Sequence, residues 1–420
     1  MEATKNGRQA PSVPRVPIGR HGARALAHVA RPVVLTGAID AWGARLWTPQ
    51  LLASEFGGAC VRARFHEPAD ADAETDADAQ VETDGLELEL TMREFCAWLA
   101  LAEPRSAAPG PLGALPAGAS GYVSYARFHS VFGADARALS SVDWRALGLD
   151  VPAEASTLWV GSRGASTPCH QDAYGANAVA QLHGTKLWVL FPPSARASLR
   201  PSRVPYEESS IFARASASEL RDAPGRLTAE LGPGDLLLVP KHWYHAVTTV
   251  SPASISVNAW LDLPDDALDR AREALVRLVA CALLPLGTGA SERADGADGA
   301  DGADGADGAD GADGADGADG ADGAPPRWLN HGEEAWPAAQ SLRALDAALG
   351  AEGARNSAAT RATPSAAARR ETGATPADAE GDVTMADVVD ALCTAPALDV
   401  VLMALREARR ARRQAREGGA

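Results

Sequence analysis

His170 and Asp172 stand two apart in the string TPCHQD (167–172), and two further histidines, His242 and His245, sit in KHWYH (241–245). Two imidazoles and one carboxylate on one face of a ferrous ion leave its remaining positions open, which is the arrangement non-haem iron chemistry with dioxygen requires. The spacing suits a strand. Side chains two apart in an extended segment point to one side, so His170 and Asp172 share a face and Cys169 points away. The same alternation separates His242 from His245 if KHWYH stays extended, so only one of them can be inside. Lys186, in QLHGTKLWVLF, lies on a segment flanked by Leu182, Trp188 and Leu190. An inward-facing ammonium there is costly unless an anion meets it, and a dicarboxylate is such an anion. The alternative is a lysine facing solvent at a turn after Gly184.

These residues need a scaffold of short strands, and the block 121–263 reads as one. Strand patterns run over Ser156–Gly161, Ala178–Gly184, Lys186–Phe191, Asp235–Val239 and Ser254–Leu261, separated by turn residues such as GPGD at 232–235. Many short strands with Gly/Pro turns predict a mainly β architecture, a sandwich or jelly roll. Trp159, Trp188, Trp243 and Trp260 fall in these strands and read as core; Trp243, two before His245, is within reach of the pocket. Upstream, Pro32–Thr36 and Cys60–Phe65 read as strands. Helices are expected after Thr48, with Pro49 at the first helical position, and over Thr91–Ala102 with Thr91 as cap. After Pro264 the period becomes helical over Asp265–Leu284, and again over Trp328–Leu349 and Val383–Arg416.

Composition places limits on the rest of the chain. Residues 294–323 are ten Ala-Asp-Gly triplets, which cannot build a core. Their ten aspartates supply ten of the sixteen net negative charges, so the remainder carries an ordinary charge of −6. An acidic run, Glu67–Asp84, holds eight acids and no Lys or Arg. Nucleic-acid binding through charge is therefore not expected. The five cysteines are scattered, with no CxxC pair, which argues against a disulfide framework or a zinc ribbon. No secretory signal or membrane span is read, so the expected compartment is intracellular, cytoplasm or nucleus. The expected organisation is a flexible tail (1–15), a catalytic domain (16–290, with core 121–263 and acidic insertion 67–86), an Ala-Asp-Gly linker (291–326) and a helical C-terminal region (327–420) with a disordered stretch at 351–380.

A lone His-x-Asp is a weak motif; its flanks add specificity. In order, STLWVGSRGASTPCHQD, NAVAQLHGTKLWVLFPP, PYEESS, LGPGDLLLVPKHWYHAV and SVNAWL resemble the core of the JmjC (cupin-like) Fe(II)/2-oxoglutarate oxygenases over about Arg31–Ala280. PYEESS and VPKHWYH point to the small heat-shock-protein-associated subgroup, and the core is also similar to the hypoxia-inducible-factor asparaginyl hydroxylase. The resemblance implies a double-stranded β-helix with His170, Asp172 and His245 as iron ligands, leaving His242 at the surface. It implies that Lys186 pairs with the distal carboxylate of 2-oxoglutarate, helped by Thr167. Asn177, Asn258 and Tyr122 are implied to line the co-substrate and metal site. The spacing from His170 to Lys186 is one longer than in the asparaginyl hydroxylase, which reads as a one-residue insertion near Tyr174–Gly175.

The expected function is hydroxylation of a protein side chain with 2-oxoglutarate and dioxygen. The same chemistry on an N-methyl group would end in demethylation. Two alternatives stand beside it: a binding module of the same fold that recruits a chaperone or another protein, and a metal-dependent cupin of another reaction type. Tyr206, Glu207 and Glu208 lie between strands, where such proteins build a substrate surface; the alternative is a solvated loop. The arginine-rich end (406–416) reads either as a partner patch or as cations at a helix C-terminus.

Overall fold

Local signals start the helices where the sequence places them. Thr48 accepts from the Leu51 N–H with Pro49 as the first helical residue, opening the helix Pro49–Glu55. Thr91 and Glu94 form a reciprocal capping box at the head of Met92–Leu99, which buries Phe95 and Trp98 against the strands. In this computed structural model residues 10–18, 30–67, 85–101, 109–291, 329–330, 335–359 and 385–417 are described. Most of the expected tail, the acidic insertion and the Ala-Asp-Gly linker lie outside these residues. Helix Ala338–Ala359 runs into the stretch expected to be disordered, whose remainder also lies outside them.

The chain divides into two units, Met1–Ser202 with Ser209–Arg270, and Arg203–Glu208 with Ala271–Ala420. The first holds fifteen strands among its described residues. These are β1 (Arg15–Pro17), β2 (Val33–Thr36), β3 (Cys60–His66), β4 (Leu86–Thr91), β5 (Ser120–Arg127), β6 (Thr157–Ser162), β7 (Ser166–Asp172) and β8 (Ala176–His183). The remainder are β9 (Lys186–Phe191), β10 (Pro201–Ser202), β11 (Ser210–Ala213), β12 (Leu227–Leu231), β13 (Leu236–Val239), β14 (Tyr244–Thr249) and β15 (Ala253–Leu261). One sheet has nine strands, ordered β1-β2-β13-β8-β15-β6-β5-β3-β4, and the other six, ordered β10-β11-β7-β14-β9-β12. From β6 onward the chain shuttles between them: β6, β8, β13 and β15 lie in the larger sheet, β7, β9, β12 and β14 in the smaller, all paired antiparallel. This is the expected double-stranded β-helix.

The sheets are held face to face by apolar side chains of alternate residues. Val179, Leu237 and Val239 from the larger sheet meet Trp188, Leu190, Leu231 and Val247 from the smaller. On the outer face of the smaller sheet Cys169 packs with Phe191, Leu199 and Tyr244, pointing away from His170 as alternation requires. Gly184 turns β8 into β9 with φ of +65°, and a Cβ there would stand 1.9 Å from the Ala253 carbonyl oxygen. Only glycine fits both demands.

Among the described strands three β-bulges depart from simple alternation. On β8, His183 pairs with Ile255 and Gln181 with Ser256, two residues against one. On β7, His245 pairs with His170 but Val247 with Thr167, so three residues of β7 oppose two of β14. On β5, Val123 pairs with Val160 and Ala126 with Leu158, again three against two, and Tyr125 in the bulge takes φ of +50°.

The second unit is helical, with Ala271–Ser291 of the helix Asp266–Ser291, then Ala338–Ala359, Met385–Leu392 and Ala395–Glu417. Its strap, Arg203–Glu208, is neither solvated loop nor open surface at Tyr206 and Glu207, which are buried. Arg203 pairs with Glu273, its N–H donates to Asp390 at 2.6 Å, and Arg277 donates to the Tyr206 hydroxyl at 3.0 Å. Among the described residues no helix is long and apolar enough to cross a membrane.

Candidate metal centre

His170 and Asp172 come from β7 and His245 from the adjacent β14, where His245 is the direct partner of His170. Their ligand atoms all lie within 4.8 Å of one another, with His170 Nε2 3.8 Å from Asp172 Oδ1, and all three residues are buried. Backbone carbonyls select the tautomers. His170 Nδ1 lies 2.9 Å from the Pro168 oxygen and His245 Nδ1 3.1 Å from the Trp243 oxygen. Each Nδ1 must therefore donate, which leaves both Nε2 lone pairs for a metal. Burial pushes His245 down to about 3, which keeps it in the neutral ligand form. Burial also raises Asp172, opposed by His170 and by hydrogen bonds from Trp260 and Asn177. A buried carboxylate facing two imidazole lone pairs is stabilised by a cation.

The carboxylate is held by a chain of side chains from the larger sheet. Trp260 Nε1 donates to Asp172 Oδ2 at 3.3 Å. Trp159 Nε1 donates to Asn258 Oδ1 at 2.8 Å, Asn258 Nδ2 donates to Asn177 Oδ1 at 2.9 Å, and Asn177 reaches Asp172. Both predicted asparagines thus belong to one hydrogen-bonded chain that ends on the candidate ligand Asp172. Partners of this kind fix a ligand's orientation and tune its metal.

Lys186 faces the space between the sheets. Its alternate neighbours Trp188 and Leu190 are in the inter-sheet core, and the Trp188 ring stacks on His245 at 5.6 Å. Lys186 Nζ donates to the Tyr122 hydroxyl at 3.0 Å and to Ser256 Oγ at 2.8 Å, with the rings of Tyr122 and Trp159 at 5.1 and 5.9 Å. No carboxylate of the described residues lies within 4 Å of it, and burial alone pulls it down to about 7. The solvent-facing alternative is excluded, since Lys186 is 2% exposed. Lys186 is four residues along β9 from Leu190, the partner of His245, or about 13 Å of strand. A lysine stem and a short dicarboxylate together cover such a gap. Thr167 opposes the core residue Val247 and so shares its inward face; the β7 bulge makes this possible at a spacing of three from His170.

All eight predicted residues therefore lie on the facing sides of two sheets. His242 does not join them. It sits before β14 with φ of +68°, its Nε2 3.0 Å from the Ala173 oxygen and 3.6 Å from Asp269. The segment is thus not extended there, and a turn rather than strand alternation separates it from His245. Trp243 donates to the Ala30 carbonyl at 3.0 Å and packs in the inter-sheet core. Sequence reading passed over Ser256, and took Trp159 and Trp260 only as core. The signal was present: in SISVNAWL, Ser256, Asn258 and Trp260 alternate with apolar residues, a polar face on a buried strand.

Residues 21–267 match the family model described as Cupin-like domain. Human HSPB1-associated protein 1 is 34% identical over 262 residues, 60% of this chain and 52% of that protein. The zebrafish (Danio rerio) HSPB1-associated protein 1 homolog is 47% identical over 135 residues, 30% of each chain. The tRNA wybutosine-synthesizing protein 4 of Gibberella zeae is 35% identical over 88 residues, 20% of this chain and 8% of that one. The chain spans about half the length of the first of these relatives.

Proposed function

The chain belongs to the cupin-like domain family, and on that premise we propose that it is an Fe(II)- and 2-oxoglutarate-dependent oxygenase that hydroxylates a protein side chain. The observation that carries this reading is Lys186: a buried amine with two hydroxyl partners and no carboxylate partner among the described residues, in the same inter-sheet space as a His-Asp-His group. A metal site alone would suit other cupin chemistry. The lysine adds a receptor for an acid.

His170, Asp172 and His245 would hold the ferrous ion through two Nε2 atoms and a carboxylate oxygen. Lys186, with Tyr122, Ser256 and Thr167, would bind the distal carboxylate of 2-oxoglutarate, and a charge-assisted bond in a buried site is worth about 1.5–3 kcal/mol. Bound together, iron and co-substrate supply oxidative decarboxylation of the keto acid coupled to hydroxylation of a C–H bond. The remaining tasks fall to the chain. The asparagine relay keeps Asp172 in one orientation, the two carbonyls hold the imidazole tautomers, and Trp188 and Val247 exclude water from the side facing the core. An N-methyl carbon in the same position would be lost as formaldehyde, which makes demethylation the outcome for that substrate.

One observation favours a second reading. The relatives carry a name that speaks of association with a small heat-shock protein, so the fold would serve as a docking module for a chaperone. A single titration separates the two. Anaerobic protein loaded with Fe(II) is titrated with 2-oxoglutarate, and the visible metal-to-ligand charge-transfer band is followed in the wild type and in His245→Ala. A band lost in the variant is the expected result. Bound iron without a band would favour another cupin chemistry, and no iron at all would favour the docking module.

A further inference from the structure

The β5 bulge does more than distort an edge. Tyr122 pairs with Gly161 and Arg127 with Thr157. Gly161 and Thr157 are four apart on β6 and share a face, whereas Tyr122 and Arg127 are five apart and would oppose each other on a regular strand. The extra residue, with Tyr125 held at φ of +50° and its ring 4.7 Å from Trp159, turns Arg127 to the side that Tyr122 shares with Lys186. There the Arg127 guanidinium lies 5.8 Å from the centre of the Trp260 ring, and the same indole donates to the candidate ligand Asp172. Arg127 is exposed, and neither an ion pair nor a hydrogen bond joins its guanidinium to any described residue. The bulge thus carries a cation to one indole away from the candidate ligand Asp172.

We propose that Arg127 receives an acidic side chain of the substrate, held beside the residue that enters the metal centre. The identity of that reaction rests on the oxygenase reading; the acid preference itself does not. A peptide carboxylate fits better than a nucleic acid. A polyphosphate needs several basic contacts, and among the described residues this edge of the site offers one guanidinium, set beside the rings of Trp260, Trp159 and Tyr125. The planar fork of arginine, placed over an indole at 5.8 Å, suits bidentate capture of one carboxylate.

The test is selection of a random heptapeptide library on the full chain, with Fe(II) and 2-oxoglutarate under argon so that nothing turns over. The wild type should enrich Asp or Glu at one position at least about tenfold, the order of one charge-assisted contact. R127E should replace that preference with Lys or Arg, and R127K, which keeps the charge but loses the fork, should weaken it without reversing it. Should R127E not fold by its thermal melt, R127Q serves instead and should lose the preference outright. Indistinguishable profiles for wild type and charge-reversed or neutral variant, or no acidic preference at all, overturn the proposal. So does an Arg127-dependent affinity for a short single-stranded RNA with no peptide preference. The charge-transfer titration of the wild type keeps the two readings apart. A band without acid preference removes the role of Arg127 alone, and acid preference without a band removes the oxygenase alone.

Discussion

Lys186 and Arg203 are both buried cations, and the chain answers them differently. Arg203, in the helical unit, is paired with Glu273, and both side chains are about one-twentieth exposed. Lys186, in the jelly roll, meets two hydroxyls and two aromatic faces. A buried charge is tolerated when an opposite charge compensates it. Arg203 has that compensation inside the fold and serves structure. Lys186 has an environment that favours its neutral form until an anion arrives, which is how a receptor for a carboxylate differs from a structural ion pair.

The largest expected effect breaks the structural member of this pair. Glu273→Ala leaves the Arg203 guanidinium buried without its carboxylate, and urea denaturation should show a loss of about 3–5 kcal/mol. Replacing both, Arg203→Met with Glu273→Leu, should recover most of it; a double variant as unstable as the single one would contradict the pairing argument. Lys186→Met should behave in the opposite way. Its unfolding free energy without co-substrate should stay level or rise, while affinity for 2-oxoglutarate falls about 10–100-fold and iron binding is spared. Unchanged co-substrate affinity would end the proposed role of the lysine.

The same contrast has a pH dependence. The folded protein holds Lys186 at about 7, below its ordinary 10.5. Between those values the unfolded chain binds more protons, so this residue's destabilisation is complete below about pH 7 and is relieved as pH rises toward 10.5. Binding of 2-oxoglutarate should run the other way, weakening as pH rises above about 7, with the trend missing in Lys186→Met. A titration of co-substrate affinity against pH in both proteins decides this. At the metal end, Trp260→Phe removes one hydrogen bond to Asp172, and iron affinity measured by competition with a chelator should fall about tenfold. The smallest effect is expected for His242→Ala, which should leave iron affinity within experimental error; loss of iron there would mean that the wrong histidine was assigned.

Much of this was legible in the chain. Lys186–Phe191 was read with the bounds it has, and the strand pattern on either side of GPGD places the turn that leads to Leu236–Val239. Thr48 and Thr91 mark helix starts because a cap is a property of four neighbouring residues. The short strands Ser210–Ala213 and Leu227–Leu231 were missed, since four or five residues with mixed burial give little periodicity to read. The burial of Tyr206 and Glu207 was also missed. Their partners, Arg277 and Asn330, are far along the chain, and nothing in PYEESS itself distinguishes a packed strap from a solvated loop.

The sequence by itself determined the ligand types, the spacing of two that puts His170 and Asp172 on one face, and the apolar setting that makes Lys186 conspicuous. These follow from local rules, the pleat of a strand and the cost of burying charge. The tertiary structure alone decided that Thr167 faces inward with His170, that Trp159, Asn258 and Asn177 form one relay to Asp172, and that Arg127 stands over Trp260. Each depends on register between strands. A bulge is a mismatch in count between two paired strands, three residues against two, and a single strand read alone has no partner against which to count.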